Sequence, residues 1–178
     1  MPPAHAGQEG CGHFPGNPGM LDVRAMSSES MTIALGSDHA GYHMKNMLAR
    51  TLADAGYTVH DLGTHSAERV DYPDFAHEVC RDVESGAARF GILVCGSGIG
   101  MSIAANRHPG IRCVHASEPV TASLGRAHNN GNVLALGGRL LGDDLALAIV
   151  RAFLSGTYEG GRHDGRLAKL TPKAGTPR

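Results

Sequence analysis

From Met31 onward, short continuous apolar runs alternate with longer stretches of helical period. Thr32-Ile33-Ala34-Leu35 is an apolar run stopped at Gly36, the pattern of a strand buried on both faces. Met44, Met47, Leu48 and Leu52 follow at spacings of three and four, which predicts a helix that Gly56 stops. Tyr57 to Leu62 reads as a second strand. Asp71-Tyr72-Pro73-Asp74 opens a second helix, with Phe75, Val79 and Val83 on one face and Gly86 at its end. Phe90 to Cys95 is a third strand, unbroken by charge, and the glycine-rich run Gly96-Ser97-Gly98-Ile99-Gly100 leads from it into a helix closed by Pro109. Ile111 to His115 reads as strand four, residues 118–127 as a short helix, and Val133 to Leu136 as strand five. Asp143 and Asp144 then start a last helix to about Leu154, with their charges at its positive end.

Five strand–helix alternations with near-continuous apolar strands predict a parallel sheet covered by helices on both faces. The fold class is therefore α/β: a three-layer αβα Rossmann-like sandwich on a five-stranded parallel sheet. At 178 residues the chain is one domain's worth. Residues 1–30 carry Pro2, Pro3, Pro15, Pro18 and a Ser27-Ser28-Glu29-Ser30 cluster but no hydrophobic period. They read as a disordered leader before a domain over 31–178, with Met26 and Met31 as alternative starts. His5, Cys11 and His13 offer metal-binding atoms within it, but the leader reading is preferred. The tail from about Thr157, with Arg162, His163, Arg166 and Lys169, is too polar for core and is expected to pack across something else.

Composition narrows the chemistry. Lys plus Arg is 16 and Asp plus Glu is 17, so no basic field exists to hold nucleic acid. No apolar run approaches the roughly 20 residues of a membrane span, and no secretory signal is expected. Cys11, Cys80, Cys95 and Cys113 form no paired spacing, which predicts free thiols in a reducing, cytoplasmic setting.

Parallel open sheets bind ligands beyond the carboxyl ends of their strands. Strand one ends there in Gly36-Ser37-Asp38-His39, strand three in Cys95 and its glycine run, strand four in His115-Ala116-Ser117-Glu118, and strand five in Gly137-Gly138-Arg139. The glycine run reads GxGxG, not the dinucleotide GxGxxG, and lacks the P-loop lysine. It is either a tight strand–helix turn or a nest of N–H groups for a phosphate or a developing oxyanion. Cys95 is either a small buried hydrophobe or, at a helix N-terminus, a thiolate able to act as a base. Asp38-His39 is either a helix cap or an acid/base and phosphate-donor pair. Arg139, Arg162 and Arg166 are either solvated charge or a bidentate phosphate clamp. His128 and Asn129 fall in the turn before strand five, at the opposite end unless the short helix wraps upward. His60, His65, His77 and His108 carry no predicted role, and Cys80 and Cys113 read as structural.

Taken together, these motifs resemble ribose-5-phosphate isomerase of the B type. The likeness is carried by Ser37-Asp38-His39-Ala40-Gly41, Asp71-Tyr72-Pro73, Cys95 through Asn106, His128-Asn129, Asn132 through Ala135, and Glu159-Gly160-Gly161-Arg162-His163. It runs in order from about Thr32 to about Leu170. The resemblance implies interconversion of ribose 5-phosphate and ribulose 5-phosphate without metal or organic cofactor. It also implies a homodimer or tetramer in which the partner subunit supplies part of each site. By the same resemblance Cys95 is the base between C2 and C1, and His128 opens the furanose ring with Asp38 assisting. The amides of Gly96, Gly98 and Gly100, with the Ser97 hydroxyl, cradle the enediolate. Asn129 and Tyr72 contact the sugar, and His39, Arg139, Arg162 and Arg166 bind phosphate. One branch of the family lacks the cysteine and uses a glutamate just after the glycine loop; Met101 there and Cys95 in place resemble the cysteine branch. Relatives acting on galactose 6-phosphate or allose 6-phosphate share the scaffold, so a hexose phosphate is the alternative substrate. A sugar-phosphate-binding regulator without catalysis is the alternative outside enzymology.

Overall fold

A computed structural model describes residues 31–171. The leader reading for residues 1–30, with His5, Cys11 and His13, lies outside the described residues, as do residues 172–178. The order is β1 (Thr32–Ser37), α1 (Tyr42–Asp54), β2 (Thr58–Asp61), α2 (Tyr72–Ser85), β3 (Phe90–Cys95), α3 (Ile99–Ala105), β4 (Cys113–His115), α4 (Pro119–Asn129), β5 (Val133–Gly137) and α5 (Asp143–Ser155). A 3-10 turn (Gly161–His163) and α6 (Asp164–Leu167) follow. The five strands form one sheet in the order β2-β1-β3-β5-β4, and every pairing is parallel. No helix among the described residues is long and apolar enough to cross a membrane.

Strand–helix–strand crossovers in a parallel sheet are right-handed, so the direction of each step sets the face its helix covers. The steps β1 to β2 and β4 to β5 run one way, and β2 to β3 and β3 to β4 run the other. Helices α1 and α4 accordingly share a face with α5, and α2 packs with α3 on the other. Each face has its own core. One joins Leu48, Ile92, Leu134, Ile149 and Phe153; the other joins Val79, Cys80, Leu93, Met101 and Ala135. Cys80 is fully buried as expected, whereas Val83 is only partly so. Between β1 and β3 the chain leaves the sheet in opposite directions, which opens the crevice where ligands bind.

Three of the boundaries that differ from expectation have a visible side-chain cause. Helix α3 ends at Ala105, well before Pro109, because the Asn106 side chain turns to the edge strand. There Oδ1 accepts from Cys113 N at 2.8 Å and Nδ2 donates to Cys113 O at 3.0 Å, covering part of an otherwise open edge. Strand β4 is confined to Cys113–His115, since Arg112 N donates to the Asn132 side chain (2.8 Å) rather than to a neighbouring strand. Helix α4 extends through Asn129 and stops at Asn130, a left-handed cap at φ 46°. Buried Arg126 fastens this end, donating from Nη1 to Asn130 Oδ1 (3.1 Å) and Gly131 O (2.7 Å).

Of the histidines without a predicted role, His60, His77 and His108 are structural ties. His77 Nδ1 lies 2.8 Å from His108 Nε2, and His108 Nδ1 lies 3.0 Å from Glu84 Oε2. Glu84 Oε1 also accepts from Gly110 N at 3.0 Å, so α2 holds the α3–β4 turn. His60 Nδ1 lies 2.9 Å from Asp82 Oδ2.

Candidate active site

Strand β1 delivers Asp38 and strand β3 delivers Cys95 to the crevice, side by side. Asp38 N donates to Val94 O at 3.2 Å, which ties the two strand ends together. Asp38 Oδ1 accepts from Ala40 N (2.9 Å) and Gly41 N (3.0 Å), so one carboxylate oxygen is committed to the turn into α1. It does not cap α1 itself, whose N-cap is Gly41.

A buried brace holds this end of β1. Lys45, fully buried on α1, donates to Asp61 Oδ1 and Oδ2 at 2.5 and 2.6 Å. Asp61 Oδ1 also accepts from Gly63 N at 3.0 Å. Gly63 O accepts from Ser37 N at 2.7 Å, and Thr64 N donates to Ser37 O at 2.9 Å. The residue before Asp38 is thus bracketed from both sides. The sequence carries a signal for Lys45: it falls three and seven residues before Leu48 and Leu52, a charge on an apolar stripe.

Cys95 sits nearly buried, with its thiol held by the glycine loop: Gly98 N donates to Sγ at 3.1 Å. Gly98 has φ +78°, and a Cβ there would lie 2.7 Å from His115 Cδ2, so only glycine can turn its amide inward. The loop after β5 is stitched to the same place, since Gly138 N donates to Cys95 O (2.8 Å) and Arg139 N to Gly96 O (3.1 Å). Tyr72, the first residue of α2, packs its ring against Gly100, where a Cβ would come within 2.7 Å of its Cζ. Ser97 Oγ accepts from Ile99 N at 3.3 Å. Helix α3 has only seven residues, so the contact that bears on the thiol is this direct amide bond rather than a long helix dipole.

Asp38, Tyr72, Cys95, Gly96, Ser97, Gly100 and Arg139 therefore line one open cleft of about 430 Å³, with exposed Leu140 at its lip. A larger groove of about 840 Å³ runs beside β4; of the predicted site residues only Asn129 lines it, so size does not select it. Of the other predicted residues, Gly98 has its amide committed to Cys95. His39 sits on the same rim but outside the cleft lining, its Nδ1 accepting from Val70 N at 3.4 Å.

His128, Asn129, Arg162 and Arg166 are not in this cleft. His128 and Asn129 form the last turn of α4, just before β5 begins, which places them toward the opposite end of the strands. The chain does not wrap upward. The tail, expected to cross something else, folds against this helix end: Glu159 N donates to Ala127 O at 3.0 Å. His163 is buried and stacks on His128, with ring centroids 4.5 Å apart and planes 12° apart. Glu159 Oε2 lies 3.7 Å from His128 Nε2 and 3.5 Å from His163 Nε2. These three offer metal-ligating atoms within 4.8 Å of one another. Near-parallel rings do not aim their lone pairs at one point, and Arg162 Nε donates to His163 Nε2 at 3.3 Å. Arg162 and Arg166 are exposed.

The other described cysteines are unsuited to proton transfer. Burial, reinforced by the nearby Glu84, pushes the Cys80 thiol up to about 12, and burial also raises Cys113. Neither lines the cleft.

The sequence pattern of a ribose/galactose isomerase family matches residues 33–170. Ribose-5-phosphate isomerase B of Escherichia coli is 49% identical over 139 residues, covering 78% of this chain and 93% of that protein. A ribose 5-phosphate isomerase structure from Thermotoga maritima superposes with TM-score 0.78 at 49% identity, covering 79% of this chain and 97% of the other. Ribose-5-phosphate isomerase B from Mycoplasma genitalium, solved with bound ribulose-5-phosphate, superposes with TM-score 0.76 at 38% identity, covering 79% and 94%.

Proposed function

The chain belongs to the ribose/galactose isomerase family, and from that membership we propose that it interconverts ribose 5-phosphate and ribulose 5-phosphate with Cys95 as the base. One observation carries the reading: a thiol on the floor of an open cleft, with a backbone amide 3.1 Å from its sulfur and a carboxylate on the adjoining strand end. In the ring-opening step His128, assisted by Asp38, moves a proton from the anomeric hydroxyl to the ring oxygen. The Cys95 thiolate then takes the C2 proton of the open aldose and returns it to C1. Meanwhile O1 gains a proton and O2 loses one through the enediolate, so no electron leaves the substrate. A positioned base supplies roughly 10²–10⁴-fold, and one oxyanion donor is worth on the order of 3 kcal/mol. Free amides of the glycine loop and the Ser97 hydroxyl serve the enediolate. Tyr72 and Asn129 hold the sugar, and His39, Arg139, Arg162 and Arg166 hold the phosphate.

The separation of His128, Asn129, Arg162 and Arg166 from the Cys95 cleft supports a homodimer, alone or within a tetramer, whose second copy completes each site. Cytoplasmic action on a sugar phosphate fits this assignment. In a coupled assay with ribose 5-phosphate, Cys95→Ala is expected to lose roughly 10²–10⁴-fold in turnover; near-full activity would refute the base. Mixing and reassembling Cys95→Ala with His128→Ala should restore about a quarter of wild-type activity, since half the dimers are then mixed and each holds one intact site. No recovery would place the whole site in one chain. A higher kcat/KM on allose 6-phosphate than on ribose 5-phosphate would move the assignment to the hexose phosphates.

A further inference from the structure

His115 closes the edge strand β4 and has no place in the functional reading so far. In register it lies beside Ala135 of β5, two strands away from Cys95. Yet its Nε2 lies 2.9 Å from the carbonyl oxygen of Ser97. A carbonyl only accepts, so Nε2 carries the proton and donates. The Ser97 carbonyl and the Gly98 N–H belong to one planar peptide unit. That Gly98 N–H is the group bonded to Cys95 Sγ. The connection therefore runs imidazole N–H to carbonyl oxygen, across one peptide, and from its N–H to sulfur.

Two glycines make room for it. At Gly137 a Cβ would sit 3.0 Å from the Ser97 carbonyl carbon and oxygen, so a side chain there would press this peptide away from β5. At Gly98 the imidazole packs where a Cβ would be.

We propose that His115 is a positioning residue for Cys95, acting through the Ser97–Gly98 peptide. This deepens the isomerase reading and rests on it. A donor on the carbonyl polarises the peptide and makes its N–H a stronger partner for a thiolate. It also locks the peptide so that its N–H points at the sulfur before any proton moves, which removes a reorganisation step. Within the chain, the other ionisable groups that line the Cys95 cleft are Asp38 from the loop after β1, Tyr72 from α2 and Arg139 from the loop after β5. All three are unchanged by substitution at His115.

His115→Phe keeps a ring against Gly98 and removes the donor; His115→Gln keeps a donor and removes the ring. The readouts are the rate of Cys95 alkylation by iodoacetamide at pH 7 and ribose 5-phosphate kinetics. Cys95→Ala identifies the thiol being alkylated. His115→Phe is expected to slow alkylation by roughly three- to tenfold, the size of one hydrogen bond. It should lower kcat to a similar extent and leave KM unchanged, while His115→Gln stays close to wild type in both. Wild-type alkylation in His115→Phe, or an equal loss in His115→Gln, overturns the proposal. The alkylation rate needs no turnover: if Cys95→Ala still isomerises, the assigned base is wrong whatever His115 does to the thiol.

Discussion

The Lys45–Asp61 pair should break asymmetrically. Lys45 has no solvent exposure, whereas the Asp61 side chain is 33% exposed. Asp61 also keeps the Gly63 amide as a second partner. In Lys45→Met the aliphatic stem is largely replaced, and the remaining carboxylate can rehydrate without moving; the lost charge-assisted bonds should cost about 1–2 kcal/mol. In Asp61→Asn one acceptor becomes an N–H₂ donor facing a buried ammonium that water cannot reach. Breaking a buried pair in this way costs about 3–5 kcal/mol. The double substitution removes the stranded charge and should recover much of that loss. Urea unfolding of the four proteins at pH 7 and one protein concentration gives the cycle directly. Equal losses in the two single variants, or a larger loss in Lys45→Met, would show that burial does not set the cost here. Because this pair also braces Gly63 and Ser37, ribose 5-phosphate kinetics on the folded Lys45→Met protein should show reduced kcat/KM.

Other expectations follow from single contacts. Gly100→Ala drives a methyl into the Tyr72 ring, 2.7 Å from Cζ, and should impair ribose 5-phosphate kinetics more than it lowers the unfolding midpoint. Glu84 is held below its usual carboxylate value of 4.5, chiefly by the His108 hydrogen bond and then by the Gly110 amide. Its stabilisation is therefore complete above about pH 4.5 and is lost as pH falls through the lowered value; the stability gap between wild type and Glu84→Gln should close in acid. Deleting residues 1–30 should leave isomerase activity intact, and a clear loss in the coupled assay would reveal a role for those residues.

From β1 to α5 the order and type of the elements were legible in the sequence because they depend on local period: buried strands are apolar runs, and helices repeat at three and four; the 3-10 turn and α6 of the polar tail, which have no such period, were not. The strand-end rule then placed Asp38, Cys95 and Arg139 on one rim, and one cleft does gather them. Local pattern could not choose the strand order, which long-range pairing decides. Inserting β5 between β3 and β4 brings Gly138 and Arg139 onto the Cys95 loop and leaves His115 to reach over Gly137 from the edge. Nor could it show that a lysine on an apolar stripe would meet Asp61, sixteen residues on. Helix α4 returns to the start of β5, so His128 lies toward the other end of the sheet although a shared site was expected of it. Periodicity specifies what each segment buries; only the packed sheet decides which segments' ends meet, because that depends on contacts between residues far apart in the chain.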